Sequence, residues 1–444
     1  MKRLLVALFL LIVAAGQTPA EDRRTDPTRL VVMTFNALFM FDGVEPEEGG
    51  VHDIPWRGSQ TEAEEHMAEI AEVVIAHNPD VLNLVEVENL QALETLNTKF
   101  LAGRGYKAYL VDGTDTATGQ DVGLLTRIDP EANAIERDER KGQSGSVVKG
   151  VSKNYFARFT LGDRKIALVA LHFLARPNDP DRVDARQAQA AVIAQRAVDL
   201  AAEGYAPIVL GDFNDYDGQV PDHVGSQPIT AVLPIVKRMQ PGDAADDLIN
   251  AAQFVPQSQR YTAFWDQDED GKVDQPHELT SIDHILIAPA LVPLVDSLAM
   301  PHELDPTEVS DHFPIVLHLR LDGGSGGEPI VVPPDPPAAP GGVVIARLLP
   351  NPPGDENLHE EATLRNDGAA AVELTGYKLR DLAGGTWSLS GTIAPSESKT
   401  FRRDGQAMAM GNRGDTIDLV NPAGEVIDSI HYGQVDEGEE VLRP

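Results

Sequence analysis

Cysteine is absent from the 444 residues. Disulfides, thiolate nucleophiles, thiolate-held zinc and iron–sulfur clusters are excluded at once, so any metal is held by oxygen and nitrogen. Cations are scarce: 36 Lys and Arg stand against 70 Asp and Glu, a net charge of −34. That excludes binding nucleic acid through a generally basic surface, and a polyanionic substrate would need cations to help. Aromatics are few, at 5%. What is present is ordinary in bulk: 42% apolar and 24% charged residues are globular proportions, and the length calls for two domains rather than one core.

The one long apolar run, Leu4 to Ala15, follows Met1-Lys2-Arg3 and precedes Gln17-Thr18-Pro19-Ala20. Basic, apolar and small residues in that order predict a signal peptide over 1–20, cleaved after Ala20. The run is shorter than the ~20 residues that span a bilayer. The expected mature protein is secreted, extracellular or periplasmic, with no stable membrane insertion once the signal is removed.

Residues 321–342 hold little beyond Gly, Pro and acidic side chains apart from Ile330-Val331-Val332, which predicts a semi-extended linker. Before it, over 27–320, helical and strand-like segments alternate; after it, over 343–444, only short strand-like runs between turns occur. In the larger part, Leu30 to Phe35 predicts a buried strand ending at Asn36. Ser59-Gln60-Thr61-Glu62 has capping-box spacing and starts a helix with apolar positions Ala63, Met67, Ile70, Ala71 and Val74, which stops at Asn78-Pro79. Val81 to Val85 then delivers Glu86. Lys165 to Leu171 delivers His172, a helix over 184–203 packs Ala190, Ile193, Ala194, Ala197, Leu200 and Ala201, and Pro207 to Leu210 delivers Asp212 and Asn214. Strands at Asp283 to Ile287 and Phe313 to Leu319 complete the pattern.

The polar residues at these strand edges are Asn36, Glu86, His172, Asp212, Asn214, Asp283, Asp311 and His312. Oxygen donors of this kind suit a hard divalent cation, which tends to bridge to phosphate. A histidine beside an aspartate can move a proton, and a second histidine can serve the other side of the phosphate. Each position taken alone has a plainer reading: Asp212 and Asp283 as turn residues, Asp311-His312 as a solvated pair, His284 as a packing histidine.

Thr34-Phe35-Asn36-Ala37, Leu84-Val85-Glu86-Val87, Leu171-His172, Gly211-Asp212-Phe213-Asn214-Asp215, Ser281-Ile282-Asp283-His284-Ile285 and Ser310-Asp311-His312-Phe313-Pro314 occur in order. Together they resemble the endonuclease/exonuclease/phosphatase superfamily, of DNase I-like fold, in its secreted bacterial nuclease form. The resemblance covers about 29–320 and implies an α/β four-layer sandwich of two packed mixed sheets flanked by helices. It implies Asn36, Glu86 and Asp311 at a metal, Mg2+ or Mn2+, and His172, Asp212, Asn214, Asp283 and His312 as catalytic residues. His312 would be the base with Asp283 orienting it, Asp212 would orient water or bind metal, and Asn214 and His172 would hydrogen-bond phosphate oxygens. The division of base duty between His312 and Asp212 stays open. Asp121 is the candidate partner for His172.

Arg176 and Arg186, with Arg182, Lys149, Lys153 and Arg158, either rim a phosphate-binding cleft or, for Arg182 and Arg186, pair with Asp181 and Asp184 at a helix start. Asp266, Asp268 and Asp270, with Asp274, resemble the first half of a calcium loop, but His277 stands where the closing Glu belongs. A solvated acidic turn is the default there, with structural Ca2+ the alternative.

After the linker, strands are expected at Val343 to Leu349, Glu361 to Asn366, Ala371 to Leu379, Thr386 to Leu389, Thr416 to Val420 and Val426 to Tyr432, the pattern of an antiparallel sandwich. Leu349-Pro350-Asn351-Pro352, Leu374-Thr375-Gly376-Tyr377 and Ile427-Asp428-Ser429-Ile430-His431-Tyr432 resemble the lamin-tail domain, an all-β immunoglobulin-like fold, with Ala362 where an aromatic is usual. This part carries no catalytic constellation; a surface or polymer ligand is implied by resemblance alone. The expected function is that of a secreted, metal-dependent phosphodiesterase acting on nucleic acid. The rivals are a phosphoesterase for lipid, sugar or nucleotide phosphate, and a non-catalytic cell-surface binding protein.

Overall fold

The computed structural model describes residues 20–44, 56, 58–176, 179–240, 242, 244–267, 271–273, 278–322, 342–354, 359–366, 368, 370–381, 385–395, 397–412, 415–422, 424, 426–432, 435 and 437–442. The expected signal run and most of the linker lie outside these residues. No described helix is long and apolar enough to cross a membrane. The chain divides into two compact units, 1–332 and 333–444.

The first unit runs β1 (Arg29–Met40), α1 (Gln60–His77), β2 (Val81–Val87), α2 (Leu90–Thr95), β3 (Lys107–Leu110), β4 (Asp121–Thr126), β5 (Lys141–Ser144), β6 (Val147–Gly150), β7 (Lys153–Leu161), β8 (Arg164–His172), α3 (Val183–Ala202), β9 (Ala206–Asp212), α4 (Val232–Lys237), β10 (Ile249–Asn250), β11 (Ala263–Phe264), β12 (Leu279–Thr280), β13 (Asp283–Ile287), β14 (Val295–Ala299) and β15 (Ile315–Arg320). One sheet has the order β14-β15-β1-β2-β4-β3 and the other β10-β13-β9-β8-β7. Both are mixed: β1 is parallel to β2 but antiparallel to β15, and β9 is parallel to β8 but antiparallel to β13.

The continuous apolar runs of the strands follow from burial on both faces. Leu30 and Val32 of β1 meet Ile166, Leu168 and Ala170 of β8 and Ile208 and Leu210 of β9 in the core between the sheets. The alternate residues Met33 and Phe35 pack on Met67, Ile70 and Val74 of α1, and Ala167, Val169 and Leu171 pack on Ala190, Ile193, Ala197 and Leu200 of α3. Helix, sheet, sheet and helix make the four layers. Helix α1 starts where its cap predicts, Ser59 accepting the Glu62 N–H, and stops at Asn78 in the left-handed conformation (φ 47°). Ala201 of α3 is exposed rather than packed.

The second unit contains β16 (Val343–Leu349), β17 (Glu361–Asn366), β18 (Val372–Glu373), β19 (Lys378–Arg380), β20 (Thr386–Ser388), β21 (Thr392–Ile393), β22 (Ser398–Arg402), β23 (Asp415–Val420), β24 (Val426–Tyr432) and β25 (Val441–Leu442). Two four-stranded antiparallel sheets, β22-β17-β16-β25 and β20-β19-β23-β24, enclose Ile345, Leu364, Leu379, Trp387, Ile417 and Leu419. The segment expected as one strand over 371–379 is broken by a turn at Gly376 (φ 90°) into β18 and β19. Ser398–Arg402, too polar to stand out in sequence, forms an edge strand.

One glycine connects fold to site. Gly211 has φ 130°, and a Cβ there would lie 2.0 Å from the Leu171 carbonyl oxygen across the β8–β9 pair. Gly211→Ala is expected to cost about 3 kcal/mol, the upper end of what overpacking costs, measured by urea unfolding, because the clash is with backbone that cannot step aside.

Candidate active site

Strand register assembles the polar cluster. Lys153 of β7 lies opposite His172 of β8, His172 opposite Asp212 of β9, and Asp212 opposite Asp283 of β13. Four neighbouring strands thus place one polar side chain each along a single edge of the second sheet. In the first sheet, Asn36 lies opposite Val85, and the pairing of both β1 and β2 shifts just beyond. Glu86, at the β2 irregularity, adopts φ 64°. A non-glycine residue in this region costs about 1–3 kcal/mol and marks a position that surrounding structure over-determines.

The two edges meet through Asn36, whose Nδ2 donates to Glu86 Oε1 and Asp212 Oδ2, each at 3.3 Å. His172 Nε2 lies 3.5 Å from Asp212 Oδ2 and 3.9 Å from Glu86 Oε1. His312 Nδ1 is hydrogen-bonded to Asp283 Oδ2 at 2.7 Å, and its Nε2 is 4.0 Å from Asp212 Oδ2 and 3.9 Å from Asp311 Oδ1. Asn214 (φ 49°) donates its backbone N–H to Asp212 Oδ1 and its side-chain N–H to the Phe173 carbonyl. All eight residues proposed at strand edges are therefore brought together; the Asp311 side chain is the most open, at 45% exposure.

Two residues absent from the predicted set support this arrangement. Ser310 Oγ donates to the Asn36 carbonyl (2.8 Å) and accepts the His312 N–H, joining the first and last motifs. Thr262 Oγ accepts the N–H groups of Ile282 and Asp283. Ser310 stands within the last of the quoted motifs, and in both residues the hydroxyl was the available signal.

Burial dominates the electrostatics. It raises the pKa of Glu86, with repulsion from Asp311 adding to it, and raises that of Asp212, with Asp283 and Glu86 adding. His172 is driven well below the usual histidine value by burial and then by the charges of Lys153 and His312. Burial alone would lower His312 too, but Asp283, through charge and hydrogen bond, and then Asp311 and Asp212 outweigh it and raise His312 well above 6.5. The cluster fits a hard divalent cation: it is rich in oxygen, its carboxylates repel one another, and the Asn36 N–H sits between two of them as positive charge would. Among the described residues, Asp212, Asp283 and His312 form the group whose metal-capable atoms all lie within 4.8 Å of one another.

Other expectations fare differently. Arg186 is not a phosphate ligand: it is 0% exposed and donates to the carbonyls of Leu174 and Arg176, bracing the segment after β8. Neither does it bear out the helix-start pairing, for Asp184 accepts Ser144 Oγ while Arg182 pairs with Asp179. Arg176 is exposed, with φ 66°. Asp121 does not partner His172; it accepts the Gly113 N–H, and burial pushes it up to about 6. His172 Nδ1 has no hydrogen-bond partner among the described residues. His284 is a buried packing histidine, bonded to the Asp215 carbonyl and Asn250. Of the calcium-loop residues, Asp266 Oδ2 accepts the Gly271 N–H, whereas Asp268, Asp270 and Asp274 lie outside the described residues.

A model of the Lamin Tail Domain matches residues 336–434, and no curated protein matches the sequence. Among solved structures, an endonuclease/exonuclease/phosphatase from Beutenbergia cavernae is 18% identical, with 91% of this chain and 100% of that one covered and a TM-score of 0.41. A mannosyl-6-phosphatase from Bacteroides thetaiotaomicron is 16% identical, covering 65% and 98%, with a TM-score of 0.41. Truncated TDP2 from Caenorhabditis elegans is 16% identical, covering 66% and 97%, with a TM-score of 0.40. Likeness of that degree says nothing about substrate. The model of the Endonuclease/Exonuclease/phosphatase family, however, matches residues 33–312 and takes in every residue of the cluster, so this chain belongs to that family of phosphoesterases.

Proposed function

We propose that the protein is a secreted, divalent-metal-dependent phosphodiesterase that hydrolyses DNA or RNA. The observation that carries this reading is the buried row His172, Asp212 and Asp283, closed by Asn36 and Glu86 on one side and by His312 on the other. A cation held by Glu86 and Asn36, with Asp311 near enough to act through water, would lend positive charge to the phosphate and to the departing oxygen.

The chain's own groups then divide the work. His312, ringed by carboxylates, favours its cationic form, which donates a hydrogen bond and accepts no proton. Of the two residues between which the resemblance leaves base duty open, this favours Asp212, whose raised pKa makes it the stronger carboxylate base. Water attacks phosphorus as its proton moves to Asp212, the ester P–O bond breaks, and the leaving oxygen takes a proton from solvent. His312 Nε2–H, the free amide hydrogen of Asn214 and neutral His172 stabilise the charge gathering on the phosphate oxygens.

Nucleic acid is favoured over a small phosphate by Trp265. It is 71% exposed, its backbone N–H donates to the Glu278 carbonyl, and the preceding Phe264 backbone N–H donates to the Asp311 carbonyl. An open indole one residue from a strand that pairs with the Asp311–His312 segment offers a base a stacking face.

Purified residues 21–444 are expected to nick plasmid DNA with Mg2+ or Mn2+ and to stop with chelator. Glu86→Gln and His312→Ala should each lower kcat/KM at least about 100-fold while circular dichroism stays unchanged. Cleavage of bis-(p-nitrophenyl) phosphate without cleavage of DNA or RNA would remove the nucleic-acid reading alone; no cleavage under any metal would leave the binding-protein rival.

The pH–rate profile should be bell-shaped, its acid limb reporting loss of the Asp212 proton and its alkaline limb loss of the His312 proton. Asp283→Asn removes the charge that raises His312, so the alkaline limb is expected to move to lower pH. An unmoved limb would return base duty to His312. Trp265→Ala should raise KM for single-stranded DNA about 10-fold, the stacking of one base, and leave bis-(p-nitrophenyl) phosphate untouched.

A further inference from the structure

The residues that hold Asn36 and Glu86 are themselves held from outside the catalytic cluster. Where β1 loses its register with β2, between Asn36 and Met40, Leu38 (φ 44°) and Phe39 (φ 50°) both take the left-handed backbone conformation. Neither is glycine, asparagine or aspartate, so two successive strained residues persist only because their surroundings fix them. Their N–H groups serve the site: Leu38 donates to Asn36 Oδ1 at 3.2 Å and Phe39 to Glu86 Oε2 at 3.1 Å. The carbonyls of the same segment are gripped by two rings. His66 Nε2–H donates to the Ala37 carbonyl at 2.7 Å, and Trp56 Nε1–H donates to the Phe39 carbonyl at 2.7 Å. The rings stack on each other with centroids 4.0 Å apart and planes 20° apart, and His66, on the inner face of α1, is 3% exposed.

We infer that the stacked Trp56–His66 pair is a positioning device that fixes the cation-binding geometry of Asn36 and Glu86. The inference rests on the cation reading of those two residues given above. Each ring contributes two things, a flat face to its neighbour and an N–H to a strained carbonyl. Together they tie the bulge to α1, whose Met67, Ile70 and Val74 are anchored in the core. His66 Nδ1 has no hydrogen-bond partner, the nearest carboxylate oxygen, Glu69 Oε2, standing 3.9 Å away, so the proton is placed on Nε2, where the Ala37 carbonyl requires it. A phenylalanine in either place would keep the stack and lose the grip.

The test uses the full chain and the variants Trp56→Phe, His66→Phe, their combination, and His66→Gln, whose amide can donate to the same carbonyl. Mn2+ affinity is measured by calorimetry, and hydrogen exchange is measured over 36–40. The phenylalanine variants are expected to bind Mn2+ about 10-fold more weakly, as when an outer partner of a metal ligand is lost. Exchange at Phe39 should quicken, and kcat should return at saturating Mn2+. The double variant should be little worse than either single one, and His66→Gln should recover most of the affinity. Wild-type affinity with unchanged Phe39 protection overturns the proposal, whatever happens to the melting temperature. If the parent protein takes up no Mn2+, the cation reading fails, and the positioning role is decided by Phe39 exchange alone.

Discussion

Register is the constraint on which this site depends. Successive side chains of a strand point to opposite faces, so sliding β9 by one residue against β8 or β13 would turn Asp212 away from both neighbours and strip the edge of its chemistry. Here the row is enforced from within: Gly211 admits a backbone approach to Leu171 that no Cβ would tolerate, and apolar side chains fix β8 and β9 on both faces. A rigid core thus sets the positions of buried carboxylates that repel one another.

Their company is costly, and linkage gives the sign of the cost. Glu86 and Asp212 have folded pKa values raised above their unfolded ones. Their contribution to stability is complete below the ordinary carboxylate range and is lost as pH rises through the raised values. At neutral pH the unbound site therefore works against the fold. His312 is raised as well, so its pairing with Asp283 supports the fold fully below about 6.5 and fades as pH climbs through its folded value. A cation that binds only the native state would offset the repulsion among the acids, and the same binding free energy would appear as stability. A strained bulge at Leu38 and Phe39, braced by two aromatic rings, is consistent with a site assembled against its own repulsion.

The core and the cluster were legible because each left a periodic or clustered trace. Doubly buried strands read as apolar runs, the Ser59 cap fixed the start of α1, and each run ended in a polar residue. What escaped had no such trace. His66 occupies the helical face defined by Ala63, Met67 and Ile70, but a search for apolar residues passes over it. Trp56 lies outside every motif, and its partner is a carbonyl, which no side-chain pattern can advertise. Arg186 was misread because proximity in sequence to His172 says nothing about which way α3 turns a side chain; the helix buries it behind the segment that follows β8. Ser398–Arg402 was missed because an edge strand can stay polar and gain its partner through backbone bonds alone.

The acidity of the chain bears on how substrate is caught more than on what is done to it. At physiological salt, charges farther apart than about 8 Å are largely screened, so a net charge of −34 slows the approach of a polyanion but has little reach inside a closed contact. There the local groups decide, and they include His312, which the carboxylates around it bias toward its cationic form, whereas the Lys153 ammonium is already engaged by Gln120 and Asp115. Stacking on an exposed indole is worth about 1–3 kcal/mol per base and hardly depends on net charge. On the proposed nucleic-acid reading, a protein denied a basic surface would draw affinity from Trp265 and a bound cation, and it would release a polyanionic product readily for the same reason.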